Sequence, residues 1–251
     1  MTSNERSLNG KVAVVTGAGQ GIGKAIAIGY ANAGAAVCSV ARTQSDIDQT
    51  VAEIHNAGGT GTAVRADVTD SESIAEAFEA TRRRFGGIDI VVINAGGNRD
   101  QSADVEHSNS EDWIDTIEVN LFGAYHTAKA AIPYLKKRGA GKIITMGSGL
   151  GHRGRVGGSA YASAKAALSM LTRVLAQELW QHNISVNELI PGPVKTERTI
   201  EQYADRPGSV FRDGSEWAKD PVDVVPLALF LAAQPDKGPT GQTYSLMRRD
   251  M

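Results

Sequence analysis

Short apolar runs alternate with amphipathic stretches along the whole chain. Lys11 to Thr16, Ala35 to Ala41, Thr62 to Ala66, Ile88 to Ile93, Lys142 to Met146 and Ile184 to Ile190 are rich in β-branched residues and read as strands. Runs such as IDIVVI have almost no polar alternation, as expected of strands covered on both faces. Between them the apolar positions recur at helical spacing: Ile22, Ile26 and Tyr30; Ile47, Val51 and Ile54; Ile74, Phe78, Thr81 and Phe85. A longer helix is predicted from near Ser110 to Lys137, with Trp113, Ile117, Asn120, Ala124, Thr127 and Ala131 on its inner face, and another carries Tyr161 and Lys165. This alternation predicts an α/β fold: a doubly wound parallel sheet with right-handed crossovers, helices on both faces and ligands at the carboxyl ends of the strands. No linker or change of composition divides the chain, so one domain is expected over residues 1–251.

Composition narrows the classes of function. A net charge of −2 gives no footprint for nucleic acid or an anionic membrane. No apolar run reaches the roughly 18 residues of a membrane span, and MTSNERSLNGK lacks the apolar core of a secretory signal, so a cytoplasmic protein is expected. Cys38 is the single cysteine, lies in an apolar run and reads as a buried structural thiol. The five histidines are scattered without the close pairing of a metal motif, so no catalytic metal is expected. Glycine is over-used, at 28 of 251 residues, which points to tight turns and close backbone approaches.

The first glycine cluster, Gly17-Ala18-Gly19-Gln20-Gly21-Ile22-Gly23, sits between the first strand and the first helix. Glycines there let the backbone approach a pyrophosphate, which the free N–H groups of the helix N-terminus would bind. A mononucleotide P-loop is the competing reading. It fails twice, because Ala18 stands at its first glycine position and Ala25 at its hydroxyl position, although Gly23-Lys24 fits. A dinucleotide turn instead predicts a second strand about twenty residues on, closed by an acidic residue for ribose hydroxyls or an arginine for a 2'-phosphate. Ala35 to Ala41 is that strand and Arg42 follows it. The fold expected is thus a Rossmann fold.

Tyr161 and Lys165 lie four apart in a run of helix formers, so both project from one helix face. A nearby ammonium favours the phenolate and lets a tyrosine exchange protons with an alcohol or carbonyl oxygen. Ser148 ends the preceding strand and can hydrogen-bond the same oxygen. Taken alone, the Tyr-Lys pair also reads as an ordinary surface pair. Asn120 is likewise open to two readings: a core amide satisfied by its neighbours, which periodicity favours, or an amide that breaks the helix locally and holds a water beside the Lys165 ammonium.

With Thr16-Gly17-x-x-x-Gly21-Ile22-Gly23, Asn94-Ala95-Gly96, Asn120, Ser148, Tyr161-x-x-x-Lys165 and Pro191-Gly192 in that order, the chain resembles the short-chain dehydrogenase/reductase superfamily from about Leu8 to about Leu246. The resemblance implies that Tyr161 gives or takes the proton and that Ser148 orients the substrate oxygen. Lys165 would bind the nicotinamide ribose and lower the tyrosine's pKa, and Asn120 would support a proton relay through water. It implies further that Gly17, Gly19, Gln20, Gly21, Ile22 and Gly23 form the phosphate turn. Asp67 and Val68 would contact adenine, Asn94, Ala95 and Gly96 would wall the adenosine ribose, and Pro191, Gly192, Val194 and Thr196 would close on the nicotinamide. The reaction implied is hydride transfer between a nicotinamide dinucleotide and a secondary alcohol or ketone.

Ala41, Arg42 and Thr43 replace the acidic residue of NAD-preferring members with a cation and a hydroxyl, which favours NADP(H) over NAD(H). Against that, Gln20 stands where many NADP-preferring relatives carry a basic residue. His152, Arg153 and Arg155 could meet a polar substrate, a second subunit or solvent. Lys195 to Trp217 is expected to be a substrate lid, and its charge suits a polar or small carbonyl or alcohol substrate. By resemblance the chain assembles as a dimer or homotetramer through the helices at Ser110 to Lys137 and Ala160 to Gln181. An NAD-dependent polyol or sugar dehydrogenase and a non-catalytic nucleotide sensor are the alternative functions, and an epimerase or dehydratase holding its nucleotide tightly is a further one.

Overall fold

The computed structural model describes residues 7–99, 104–203 and 217–247. Seven parallel strands are described: β1 (Val12–Thr16), β2 (Ala36–Ala41), β3 (Thr60–Arg65), β4 (Ile90–Ile93), β5 (Gly141–Met146), β6 (Ile184–Ile190) and β7 (Thr243–Ser245), in the spatial order 3-2-1-4-5-6-7. The chain leaves β1 toward one edge and returns through β4 to build the other, so the strand order reverses between β1 and β4. A crevice at the carboxyl ends is the geometric result.

Successive side chains of a strand point to opposite faces. Ala13 and Val15 of β1 therefore join one core with α1 (Gly21–Asn32), α2 (Gln44–Asn56) and α8 (Val225–Ala232), whereas Val14 joins the other with α3 (Ser71–Phe85), α5 (Gly123–Arg138) and α6 (Ser159–Leu179). Tyr30, wholly buried, ties α1 to α8 by donating its hydroxyl to the Ala228 carbonyl at 2.8 Å. The helix caps follow from sequence. Asp70 accepts the Glu72 and Ser73 N–H groups at the start of α3, and Gly86 ends that helix at a φ of 86°.

The predicted elements fall within a few residues of those observed, with one internal break. The long helix is α4 (Ser110–Ile117), a π-helical turn over Glu118–Phe122, and α5. Hydrophobic patterning does not reveal α8 or β7: VPLALFLA is apolar all round and has no period, and three residues are too short to show one. No helix among the described residues is long and apolar enough to cross a membrane. Of the expected lid, 204–216 lie outside the described residues; its first part is α7 (Glu197–Tyr203).

Candidate active site

A cleft of about 770 Å³ opens at the carboxyl ends of the strands. The turn after β1 forms its floor. Gly17 and Gly21 have φ of 66° and 53°, a left-handed conformation that favours glycine. At Gly23 the reason is contact: a Cβ there would lie 2.2 Å from the Gly17 carbonyl oxygen and 2.4 Å from Asn94 Nδ2. The first turn of α1 holds no acidic residue, and Gln20 at its N-cap makes no side-chain capping bond. These leading N–H groups, with the positive end of the helix dipole behind them, are a cradle for phosphate. The residues present therefore fit a dinucleotide.

Thr16 and Asn94 brace that cradle. Asn94 Nδ2 donates to the carbonyls of Thr16 at 2.9 Å and Gly17 at 3.3 Å, while Thr16 Oγ1 accepts from the N–H groups of Asn94 and Ala95. The Asn94 amide thus supports the turn from below, and Ala95 and Gly96 present the cleft wall. At the far side of the turn lie Ala41, Arg42 and Thr43, with Asp46 of α2 and Asp67 and Val68 after β3. The Arg42 guanidinium is half exposed and only loosely paired, 3.8 Å from Asp67 Oδ2.

The catalytic candidates line the same cleft. Lys165 is buried, and its Nζ donates to the Met146 carbonyl at 2.8 Å and lies 5.6 Å from the centre of the Tyr161 ring. Burial lowers its pKa from 10.5 to about 8, against the opposing pull of the Glu188 carboxylate. Ser148 is extended at the end of β5 and its Oγ accepts the Leu150 N–H at 3.2 Å, which orients the hydroxyl at the cleft.

Asn120 sits within the π-helical turn, where the extra residue opens the helix ladder. Its Nδ2 donates to the carbonyls of Thr116 at 2.8 Å and Gly97 at 2.5 Å, and its Oδ1 accepts the Gly97 N–H at 3.3 Å. A Cβ on Gly96 would lie 2.6 Å from Asn120 Oδ1 and 3.6 Å from Lys165 Nζ, so both groups flank the Gly96 backbone. The local break that one sequence reading required is present, and so are the backbone partners that the other required.

Pro191, Gly192, Val194 and Thr196 follow β6 and line the same cleft. A Cβ on Gly21 would meet Thr196 Cγ2 at 3.0 Å, so Thr196 rests on the turn after β1. Every sequence-predicted site residue but Gly23, which underpins the turn, lines this cleft. Among the further lining residues are three that the sequence reading did not single out. Arg198 of α7 donates to the Gly96 carbonyl at 2.8 Å, Thr199 Oγ1 donates to the Val194 carbonyl at 2.6 Å, and Met247 packs against Gly149 and Gly192 from beyond β7. Arg198 belongs to the charged stretch expected as a lid, the one hint available. Of the three basic residues after Ser148, Arg153 and Arg155 line the cleft. His152 is partly buried and turns toward Glu188, its Nε2 3.1 Å from Oε2.

A family profile described as short chain dehydrogenase matches residues 11–207. The chain is 35% identical over 238 residues to the 3-oxoacyl-(acyl-carrier-protein) reductase of Vibrio cholerae, covering 94% of this chain and 96% of that protein. It is 33% identical over 251 residues to the 7alpha-hydroxysteroid dehydrogenase of Escherichia coli, covering 97% and 95% respectively. Among solved structures, NAD+-bound xylitol dehydrogenase superposes with a TM-score of 0.88 at 28% identity, covering 96% of this chain and 98% of that one.

Proposed function

The chain belongs to the short-chain dehydrogenase family, and from that premise we propose that it reduces a ketone, or oxidises the matching secondary alcohol, with NADP(H) as the preferred partner. As a family member it is an NAD(P)-dependent oxidoreductase acting on CH–OH and carbonyl groups of small molecules. The observation that supports the fuller reading is that Ser148, Tyr161 and Lys165 line one cleft with Arg42, the Lys165 ammonium 5.6 Å from the Tyr161 ring centre.

When bound, the nicotinamide dinucleotide supplies or accepts the hydride. The protein does the rest. Gly17, Gly19, Gln20, Gly21, Ile22 and Gly23 hold the diphosphate through backbone N–H groups. Asp67 and Val68 would border the adenine, Asn94, Ala95 and Gly96 its ribose, and Pro191, Gly192, Val194 and Thr196 would close on the nicotinamide. Ser148 holds the substrate oxygen, and Tyr161 passes the proton at its hydroxyl. The Lys165 ammonium favours the phenolate, and Asn120 holds the water through which that proton is exchanged with solvent. One catalytic domain, 1–251, carries these parts, with a lid near 195–217.

The preference for NADP(H) rests on Arg42 and Thr43 at the end of β2, where no carboxylate follows Ala41. Asp46, against Gly19 on the same side of the turn, and the NAD+ bound by the similar xylitol dehydrogenase favour an NAD-dependent polyol or sugar dehydrogenase instead. Fluorescence titration with NADPH and NADH separates the two readings. Arg42→Asp should weaken NADPH by tenfold or more, about 1.4 kcal/mol, and leave NADH within a few-fold; unchanged discrimination would show that Arg42 does not read the 2'-phosphate.

The chain is further proposed to self-associate as a dimer or tetramer. Phe122 and Tyr125 near the start of α5, with Met170 and Val174 on α6, are between 44% and 57% exposed on the helices expected to pair. Sedimentation velocity checks this: Met170→Glu with Val174→Glu should lower the mass, and a wild-type protein that sediments as a monomer would refute it.

A further inference from the structure

Glu188 is a carboxylate in an unusual place. It stands in the middle of a fully buried strand, β6, and is 1% exposed. A buried carboxylate is costly unless hydrogen-bonded and compensated. Its Oε2 accepts from Thr243 Oγ1 of β7 at 2.8 Å and Ser169 Oγ of α6 at 3.0 Å, and lies 3.1 Å from His152 Nε2. Those donors hold the carboxylate from three directions without yet naming a counter-charge.

Beyond the His152 contact, the next cation along these contacts is Lys165 on α6. Ser169 is one turn beyond Lys165, so both side chains come off the same face. Lys165 Nζ is bonded to the Met146 carbonyl, and the next residue, Gly147, is the one on which Glu188 rests: a Cβ there would lie 2.1 Å from Glu188 Oε1. Gly147 therefore gives up its side-chain space to the carboxylate, one residue from the carbonyl that seats the ammonium and one from Ser148. His152, in the segment after Ser148, closes the circuit from the other side. These contacts do not follow from the reaction, which uses neither Glu188 nor His152.

We propose that Glu188 is a positioning residue of the catalytic site: a buried counter-charge, fixed by His152, Ser169 and Thr243, that holds the Lys165 ammonium on the Met146 carbonyl. The significance of that role rests on the function of Lys165 proposed above. The groups around the pair are Lys165 and Tyr161 from α6, His152 from the loop after β5, the hydroxyls of Ser169 and Thr243, and the Asn120 amide beyond Gly96. The Glu188 charge raises the Lys165 pKa against the larger effect of burial, so its removal lets the ammonium lose its proton at lower pH.

The test needs no substrate. In full-length protein carrying 13C at lysine Cε, with the Lys165 signal assigned through Lys165→Arg, the titration midpoint of Lys165 is compared between wild type and Glu188→Gln. We expect it to fall by about one pH unit or more in the variant. An unmoved midpoint in a folded Glu188→Gln protein, even one with a lower melting temperature, would overturn the proposal and leave Glu188 a structural hydrogen-bond acceptor. Should Glu188→Gln alone fail to fold, the double variant Glu188→Gln/Lys165→Met decides. Recovery of a cooperative melt supports the pair, since removing both charges costs less than stranding one, and no recovery overturns it. Because neither readout measures turnover, an inactive but correctly titrating protein would count against the proposed reaction and not against the pair.

Discussion

Tyr161→Phe should give a protein that folds, binds its dinucleotide as tightly as wild type and turns over at least about a hundredfold more slowly. The phenyl ring keeps its place on α6 near the Lys165 ammonium, 5.6 Å from the ring centre in the parent, so packing and the cofactor cleft are preserved. What is lost is the hydroxyl proposed to pass a proton to the substrate oxygen. Acetoacetyl-coenzyme A with NADPH, followed at 340 nm, is a suitable first assay, and a polyol panel with NAD+ covers the alternative reading. Comparable turnover in the variant would sink the assigned mechanism, whereas tight cofactor binding without turnover by the wild type on any carbonyl or alcohol would favour a nucleotide sensor. The same assay carries a pH signature. Lys165 is protonated below its pKa of about 8 and neutral above it, so the help it gives the phenolate is present at neutral pH and lost as pH rises through that value. Wild-type kcat/KM should therefore fall on the alkaline side of about 8, and a rate flat from pH 7 to 10 would refute the dependence on Lys165.

The parts of this site legible in the sequence are those whose geometry is local. Tyr161 and Lys165 share a helix face because of their spacing. The glycine turn is readable because a strand, a cluster of glycines and a helix follow one another directly. The two-faced core follows from alternating strands and helices, since side-chain period alone assigns Ala13 and Val14 to opposite faces. Asn120 was half legible: an amide in an apolar stripe signals something, but periodicity cannot distinguish a satisfied core amide from one seated in a π-helical turn, and it is both. What stayed hidden depends on contacts between distant segments. Glu188 reads as one polar residue in a strand until its neighbours from the loop after β5, α6 and β7 are brought around it. Arg198 meets Gly96 across 102 residues of chain, and Met247 fits Gly149 and Gly192 only once β7 has joined β6. The contact between His152 and Glu188 is of the same kind, since it joins the loop after β5 to the middle of β6.

Gly23→Ala should be strongly damaging for a single added methyl. A Cβ at Gly23 would lie 2.2 Å from the Gly17 oxygen, 2.8 Å from the Gly17 carbonyl carbon and 2.4 Å from Asn94 Nδ2. The first two are backbone atoms, which cannot rotate away as the end of a flexible side chain can. To admit the methyl, α1 has to move off the turn or the turn has to open. The first breaks packing of a helix whose Ile26 and Tyr30 are wholly buried; the second pulls the Gly17 carbonyl from Asn94, which ties the ends of β1 and β4 together at the crevice. Overpacking of this kind costs about 1–3 kcal/mol, which lowers the melting temperature by about 2–4 °C per kcal/mol for a chain of this size. The larger loss is in binding, because the N–H groups that would hold the diphosphate leave their positions together; NADPH affinity should fall at least about a hundredfold. Gly154→Ala is the matched control, since no atom lies within 4 Å of the added methyl and its backbone is outside the left-handed region. It should melt and bind as wild type does. If Gly23→Ala bound NADPH normally, the cradle at the start of α1 would not be the phosphate site, and the placement of the dinucleotide across the crevice would fall with it.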